Sequence, residues 1–162
     1  MSEIKFLVGV DIGSTTVKAI VVDTSNDQLL WSDYQRHETK QPEKTLGLLQ
    51  RIEAETGVRA GNTRMFITGS GGGPIGERLG AKFVQEVNAV SLAVEKLHPD
   101  VQSVVELGGQ DAKMIFFKEV EENGKKKKLP TMNDKCAAGT GAVVDKINAK
   151  LKIPSEELCQ QC

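Results

Sequence analysis

The sequence contains one unit twice: an apolar strand, a turn that begins with an acidic residue and holds glycine, and a second strand. The first copy covers residues 6–22, and the second, an imperfect repeat, covers residues 103–117. Each copy predicts a hairpin, because turn-forming glycines separate two runs of apolar and β-branched residues. Any fold for these 162 residues, enough for one domain or two small ones, has to accommodate both hairpins.

Helical patterns lie between and after the two copies. Three strands precede the first helix, which predicts an antiparallel meander, and one strand separates the first helix from the second. The predicted strands cover residues 5–11, 16–23, 28–36, 64–68, 103–107 and 112–118, and the predicted helices cover residues 42–56, 74–79, 86–97 and 139–151. This order predicts an α/β fold with a mixed sheet, and a boundary near residues 98–102 divides the chain into domains at 1–100 and 101–162.

The first predicted helix has recognisable ends. Pro42 suits its first turn, and Gly57 ends it. Leu46, Leu49 and Ile52 share one face of this helix.

Composition excludes several classes of protein. The 21 Lys and Arg residues nearly balance the 22 Asp and Glu residues, so no charge excess favours nucleic acid or an anionic membrane as a partner. The first residues do not resemble a signal peptide, and no apolar run approaches the roughly 20 residues of a membrane span. We therefore expect a cytoplasmic protein, in which the three cysteines are free thiols or metal ligands rather than disulfides.

The two turns suggest phosphate binding. Gly13 in the first, and Gly108 and Gly109 in the second, permit φ > 0 and leave backbone N–H groups that attract anions, to which Ser14, Thr15 and Thr16 add hydroxyl donors. Asp11 and Glu106, at the ends of the first strands, can hold Mg²⁺ or its waters. Either turn alone is more often a simple hairpin, but the pair suggests two jaws that close on one polyphosphate.

A cysteine stands just before a glycine-rich helix start. Cys136 precedes Gly139-Thr140-Gly141, where the helix dipole and free N–H groups favour a thiolate or the negative charge of an iron–sulfur cluster. The alternative is that Gly139, Thr140 and Gly141 bind phosphate and Cys136 takes no part. Physical chemistry alone leaves both interpretations open.

The turn sequences resemble known phosphate motifs. Residues 8–18 (VGVDIGSTTVK) and 106–113 (ELGGQDAK) are similar to the first and second phosphate motifs of the actin, hexokinase and sugar-kinase superfamily. The resemblance implies facing ribonuclease-H-like domains around ATP or ADP, with a second domain that only begins in this chain. It assigns Gly13, Ser14, Thr15, Thr16 and Lys18 to one jaw, and Gly108, Gly109 and Gln110 to the other. Asp11 would organise Mg²⁺, and catalysis would rest on positioning and charge neutralisation.

Residues 133–141 (NDKCAAGTG) narrow the resemblance further. They look like the signature of the BadF/BadG/BcrA/BcrD-type ATPases, which activate 2-hydroxyacyl-CoA dehydratases and benzoyl-CoA reductases. Residues 68–71 (TGSG) fit the same family. The resemblance implies an ATPase that drives electrons from a 4Fe-4S cluster, bound at Cys136 and shared across a homodimer, to a dehydratase or reductase. Ferredoxin or flavodoxin would supply the electrons.

Some features depart from that family. Glu106 stands where the superfamily usually has Asp, and the second cluster cysteine and the adenosine-contacting Gly-Gly motif are absent from these residues, so we expect an N-terminal part of such a protein. Cys159 and Cys162 form a C-x-x-C pair that offers a substitute ligand set. The alternative functions are a small-molecule kinase of the amino-sugar type and a non-catalytic actin-like nucleotide-binding module.

Two other features are assigned from local sequence. His37 and His98 have no cysteine or carboxylate at ligand spacing, so we expect both on the surface. Asn123-Gly124 is a hairpin signal, and Lys125–Lys128 after it is interpreted as a solvated hairpin tip or as a docking patch for an acidic partner.

Overall fold

The structure is a computed structural model that describes residues 3–109, 112–122 and 125–132, together with Lys146 and Lys150. The chain forms two compact units, Met1–Ala89 and Val90–Cys162. That residues 1–100 and 101–162 are successive actin-like domains stays a prediction. In the described part of the chain, none of the helices combines the length and the apolar character that crossing a membrane requires.

A five-stranded mixed sheet organises the first unit. Strands β1 (Phe6–Ile12), β2 (Thr16–Asp23) and β3 (Leu29–Arg36) form the predicted antiparallel meander, and β4 (Thr63–Thr68) pairs with β1 in parallel. The short strand β5 (Lys82–Phe83), which the sequence did not predict, adds to β4. The spatial order is β3-β2-β1-β4-β5, so β1 lies at the centre of the sheet. The predicted mixed sheet is confirmed.

The described residues include three helices, and the ends of the first follow local chemistry. Helix α1 covers Gln41–Thr56, α2 covers Gly72–Leu79, and α3 covers Glu86–Leu97. A proline occupies the first turn of α1, and Gly57 ends it with φ 75°, the left-handed conformation that glycine adopts without cost. The helix predicted over residues 139–151 lies outside the described residues, except for Lys146 and Lys150, which are helical.

The buried face of α1 differs from the leucine stripe seen in the sequence. Thr45, Leu48 and Ile52 are buried, whereas Leu46 is 57% exposed. Leu46 and Leu49 instead line an apolar groove of about 360 Å³ between α1 and α2. Both stripes have helical spacing, and packing against the sheet selects the one that is buried.

The core of the first unit is aliphatic. Alternate residues of β1 and β2 point into it, as expected for strands with one covered face. Its buried members are Val8, Val10, Ile12, Val17, Ala19, Val21, Leu48, Ile52, Val58 and Ile67. The core therefore ends at Ile12, directly before the first predicted phosphate turn.

Ion pairs attach α1 to β3. Arg51 Nη1 pairs with Asp33 Oδ2, and Arg51 Nε donates to Glu55 Oε1 at 3.2 Å. Glu55 Oε2 accepts a hydrogen bond from Trp31 Nε1 at 2.7 Å, and Asp33 Oδ2 accepts one from Gln35 Nε2 at 2.8 Å. The bond from Gln35, helped by Arg51, lowers the pKa of Asp33, and the bonds from Trp31 and Arg51 lower the pKa of Glu55.

The second unit contains a three-stranded antiparallel sheet. Its strands are β6 (Ser103–Leu107), β7 (Ala112–Glu122) and β8 (Lys125–Met132), in that order. Strand β7 runs beyond the predicted end at Lys118, and its register places Glu119, Glu121 and Glu122 opposite Lys128, Lys126 and Lys125.

Candidate functional site

The first candidate phosphate turn, residues 13–15, joins β1 to β2. The last strand pair before it is Ile12 with Val17, and the N–H of Gly13 donates to the carbonyl of Thr16 at 2.9 Å. Gly13 does not have a positive φ, and an added Cβ would come no closer than 3.4 Å to another atom. Gly13 therefore does not use the left-handed conformation that glycine permits.

Every carbonyl group at residues 12, 13, 15 and 16 accepts a hydrogen bond on the protein side. The donors are Gly71 N–H to Ile12 at 2.8 Å, Gln41 Nε2 to Gly13 at 2.9 Å, His37 N–H to Thr15 at 3.2 Å and Gly13 N–H to Thr16 at 2.9 Å. Buried or crowded carbonyls need such partners. Three separate segments therefore hold the turn from behind: the β4–α2 connection, the β3–α1 connection and the start of α1.

The N–H groups at the tip of the turn have no such partners. Within the described residues, the amides of Ser14 and Thr15 donate to no internal acceptor, and both residues are only partly buried. Successive unpaired N–H groups next to engaged carbonyls form a concave site that attracts anions. Thr16, by contrast, is 7% exposed, which leaves its hydroxyl little access to a ligand.

Asp11 lies at the end of β1 with its two oxygens in different environments. Oδ2 forms an ion pair with Lys18 Nζ at 2.9 Å, while Oδ1 is buried and accepts no hydrogen bond. The hydroxyl of Thr68, which the parallel register places beside Asp11, is likewise buried without a hydrogen bond. Buried oxygens without donors are costly unless another group satisfies them. A buried carboxylate oxygen and a buried hydroxyl oxygen on paired residues suit Mg²⁺ or a water bound to it, since proteins usually hold Mg²⁺ through one or two carboxylates together with phosphate groups.

The glycines of residues 68–71 allow a close approach to this site. Gly69 has φ 92°, and an added Cβ would lie 2.3 Å from the carbonyl oxygen of Ile12 and 2.6 Å from Asp11 Oδ1. Only glycine accommodates both the conformation and the contact. The sequence predicted the turn, but not that it packs directly behind Asp11.

His37 is buried, so its predicted surface position is wrong. It is 4% exposed, its Nδ1 accepts a hydrogen bond from the Thr39 N–H at 3.0 Å, and its carbonyl accepts one from the Lys40 N–H at 2.8 Å. The tight turn at residues 37–40 folds over the imidazole and satisfies it locally. Neither His37 nor Gln41 was predicted to contact the site, because their partners are distant in sequence and no motif connects them.

The second candidate turn follows the same pattern in its own unit. Glu106 pairs with Lys113 across β6 and β7, as Asp11 pairs with Lys18 across β1 and β2, with the same separation along the chain. Lys113 Nζ lies 3.4 Å from Glu106 Oε2, close enough for an ion pair, although that oxygen has no hydrogen bond of good geometry. At this distance the two opposite charges attract each other, so Glu106 is ion-paired with Lys113. The sequence did not single out Lys113.

Some of the remaining predicted site residues lie within the residues that the structure describes, and others do not. Gly108 and Gly109 follow β6 and are half-buried. Gln110, Cys136, Gly139, Thr140 and Gly141 lie outside the described residues, as do Cys159 and Cys162. Across the described ranges, no three His, Cys, Asp or Glu side chains gather as a set of metal ligands.

Comparison with known proteins identifies the family. The model of the BadF/BadG/BcrA/BcrD ATPase family matches residues 8–160. The chain belongs to this family. This confirms the resemblance inferred from the turn and cysteine motifs.

Several relatives of this ATPase family have names that describe an activity. The chain is 26% identical over 154 residues to the 2-hydroxyisocaproyl-CoA dehydratase activator of Clostridioides difficile, covering 94% of this chain and 55% of that protein. It is 27% identical over 156 residues to the (R)-2-hydroxyglutaryl-CoA dehydratase activating ATPase of Acidaminococcus fermentans, covering 96% of this chain and 57% of that protein. The chain therefore spans somewhat more than half the length of the relatives it matches.

A solved structure in the family confirms the fold. The crystal structure of component A of the Acidaminococcus fermentans (R)-2-hydroxyglutaryl-CoA dehydratase matches with a TM-score of 0.73 and 25% identity, over 96% of this chain and 57% of that one. The predicted α/β fold of the actin-like ATPases is confirmed.

Proposed function

We propose that this chain binds Mg²⁺·ATP at the 13–15 turn and serves in an ATP-dependent activator of a 2-hydroxyacyl-CoA dehydratase or a related reductase. Family membership and the named activators among the relatives support the activator role. The observation that carries the nucleotide part is the turn itself, in which the Gly13 and Thr15 carbonyls accept hydrogen bonds on the protein side and the Ser14 and Thr15 amides stay open.

The electrostatics of the turn favour a phosphate group. A carbonyl that faced the ligand would repel its oxygens, and here the Ile12, Gly13, Thr15 and Thr16 carbonyls all have donors within the protein. The Ser14 and Thr15 amides, with their side-chain hydroxyls, are left to donate to phosphate oxygens. Lys18, which is 46% exposed, adds a positive charge nearby.

Asp11 has the environment expected of a residue that holds Mg²⁺. Its Oδ1 lacks a hydrogen-bond donor, and a bound cation or its water would satisfy that oxygen. When bound, Mg²⁺ neutralises the charge of the phosphates and orients the terminal one. Asp11, in turn, keeps its place because Oδ2 is paired with Lys18.

The resemblance assigns the second turn and the predicted helix start after Cys136 to the same proposed site. Glu106, Gly108, Gly109 and Gln110 would hold the same nucleotide from a second jaw, with Glu106 as metal-water ligand or water positioner. Gly139, Thr140 and Gly141 would contribute further N–H donors. Thr16 remains a predicted member of the first jaw despite its burial.

The electron-transfer part of the proposal rests on the motif around Cys136. A 4Fe-4S cluster bound by Cys136 would be shared by a homodimer, and ATP hydrolysis would drive its electron to the acyl-CoA dehydratase or reductase. Ferredoxin or flavodoxin would reduce the cluster, and the protein would work in the cytoplasm. These features follow from the resemblance of residues 133–141 to the family signature.

ATP binding and hydrolysis test the nucleotide proposal. In the complete protein that contains this sequence, Asp11→Asn should abolish Mg²⁺-dependent hydrolysis and weaken Mg²⁺·ATP binding at least about tenfold, because the amide neither attracts Mg²⁺ nor retains the ion pair. Asp100→Asn, which removes an exposed carboxylate, should change neither. Equal hydrolysis by wild type and Asp11→Asn would refute the role of Asp11, and no ATP binding by the wild type would refute the proposal.

Anaerobic reconstitution with iron and sulfide tests the cluster proposal. The complete wild-type protein should take up iron, about two atoms per chain if one four-iron cluster is shared by two chains. Cys136→Ala should take up almost none, whereas Cys162→Ala should behave as wild type. Iron uptake that is unaffected by Cys136→Ala would contradict the assignment.

A further inference from the structure

Gln41 is the one side chain, among the described residues, that hydrogen-bonds the backbone of the 13–15 turn. Its Nε2 donates to the Gly13 carbonyl at 2.9 Å. From this contact we infer that Gln41 is a positioning residue for nucleotide binding, one that fixes the direction of the Ser14 N–H. This inference rests on the proposed function and names a residue that no sequence motif marks.

Peptide geometry connects the two groups. The Gly13 carbonyl and the Ser14 N–H belong to one planar trans peptide unit, so they point in opposite directions. When Gln41 holds the carbonyl toward the start of α1, the N–H is directed away from it, out of the turn. Without that donor, the peptide is free to rotate, and its N–H spends less time where a phosphate oxygen would meet it.

The position of Gln41 is itself tightly determined. It is the first residue of α1, and its carbonyl accepts a hydrogen bond from Thr45 Oγ1 at 2.8 Å. Its amide group lies where a side chain on Gly71 would be: an added Cβ there would come within 3.0 Å of both Nε2 and Oε1 of Gln41. The glycine at position 71 therefore leaves room for the amide of Gln41.

The connection that leads into Gln41 is strained. Glu38 and Thr39 have φ values of 49° and 68°, and a left-handed conformation is particularly unfavourable for a β-branched residue such as Thr39. His37 compensates by accepting the Thr39 N–H on its ring nitrogen. Strain of this kind persists where the surroundings determine the backbone, and it is concentrated at functional sites.

His37 is the other possible acceptor for the Gln41 amide. The two Nε2 atoms are 3.5 Å apart, which is longer than the 2.9 Å contact with the Gly13 carbonyl. Because Nδ1 of His37 already faces a donor, a neutral ring carries its proton on Nε2 and cannot accept from Gln41. The Gly13 carbonyl is thus the acceptor that matters.

Gln41→Glu separates this role from a purely structural one. Glutamate has nearly the same shape but, when ionised, cannot donate to the carbonyl. At the first position of a helix its charge is favourable, so the variant should unfold at the same or a higher urea concentration than wild type. We expect its affinity for Mg²⁺·ATP to fall about tenfold at neutral pH, while the turnover rate at saturating ATP changes less.

The pH dependence gives a second readout. A protonated glutamic acid can donate to the Gly13 carbonyl, so the affinity of Gln41→Glu relative to wild type should recover as the pH is lowered toward about 4.5, the ordinary pKa of glutamate. Gln50→Glu, an identical charge change at an exposed position of α1, should match wild type at every pH. Gln41→Met, which removes the donor without adding charge, should lose affinity at every pH.

Gly71→Ala tests the same contact from the other side. Its Cβ would lie 2.9 Å from Ile12 Cγ2 and 3.0 Å from both polar atoms of the Gln41 amide, so it should weaken Mg²⁺·ATP binding, whereas Gly73→Ala, with nothing within 4 Å of the added atom, should not. If wild type binds ATP and Gln41→Glu and Gln41→Met bind it equally well, the inference is wrong while the proposed function stands. Loss of stability in step with affinity, without recovery at low pH, would also overturn it. Failure of the wild type to bind ATP would refute both.

Discussion

Replacing Gly69 with alanine should damage the fold more than any other single methyl addition at the described glycines. The added Cβ would lie 2.3 Å from the Ile12 carbonyl oxygen and 2.5 Å from its carbon, and the residue has φ 92°. The obstructing atoms belong to the central strand β1, so they cannot move aside as a flexible side chain would. Alanine at Gly69 therefore carries two costs, one conformational and one steric.

Gly80 separates these two costs. It also has a positive φ, 63°, but nothing lies within 4 Å of an added Cβ. Gly80→Ala should lose only the conformational part, about 1–2 kcal/mol of the free energy of unfolding. Gly69→Ala should lose a further ~1–3 kcal/mol because a methyl group is forced into a packed space.

Urea denaturation monitored by the fluorescence of Trp31, the single tryptophan, measures the difference. With a slope of roughly 2 kcal/mol per molar urea, the midpoint of Gly69→Ala should lie about 0.5–1.5 M below that of Gly80→Ala. Gly73→Ala, inside α2 with open space around it, should equal or exceed wild type. Equal midpoints for Gly69→Ala and Gly80→Ala would show that β4 and β1 do not approach as described, and the packing behind Asp11 would have to be redrawn.

Three further outcomes are expected from the same titration. The pKa values of Asp33 and Glu55 are lowered in the folded protein, so their contribution to the free energy of unfolding is complete above their ordinary pKa values of 3.8 and 4.5. That contribution is lost as the pH falls through the folded pKa values. The urea midpoint should therefore decline in that range, and it should decline less in Arg51→Met. Leu48→Ala should cost about 2–5 kcal/mol, whereas Leu46→Ala at the exposed stripe should cost less than ~0.5 kcal/mol, and equal losses would contradict the assigned buried face. Thr68→Val should leave the midpoint unchanged or raised, since it removes a buried hydroxyl that has no hydrogen bond, and a clear loss would reveal a partner for that hydroxyl.

Local patterns were sufficient for most of the secondary structure. The order of strands and helices, the end of α1 at Gly57 and the antiparallel meander follow from turn residues and periodicity, which act over a few positions. Strand β5 was not predicted because two residues carry no periodicity. The choice between the stripes of Leu46 and Leu48 depends on which face meets the sheet, and the sequence of the helix alone does not contain that information.

The phosphate turn was recognised partly from the conformational freedom of its glycine, but in the structure a different glycine has the positive φ. Gly13 permits a positive φ but does not adopt one, whereas Gly69, directly after β4, has that conformation beside the turn. The supports of the turn come from Gln41 and His37, which are brought to it by the path of the chain after β3. A motif identifies the residues that are able to contact a ligand. The residues that support them are distant in sequence, so they can be identified only once the fold brings those segments together.

The matched acid–lysine pairs of the two hairpins differ in how much water reaches the lysine. The Lys18 side chain is 46% exposed and the Lys113 side chain 18%, although the paired carboxylates of Asp11 and Glu106 are nearly alike at 30% and 27%. Salt should therefore screen the first ion pair more strongly than the second. The duplicated hairpin thus keeps one arrangement of charges at two different degrees of contact with solvent.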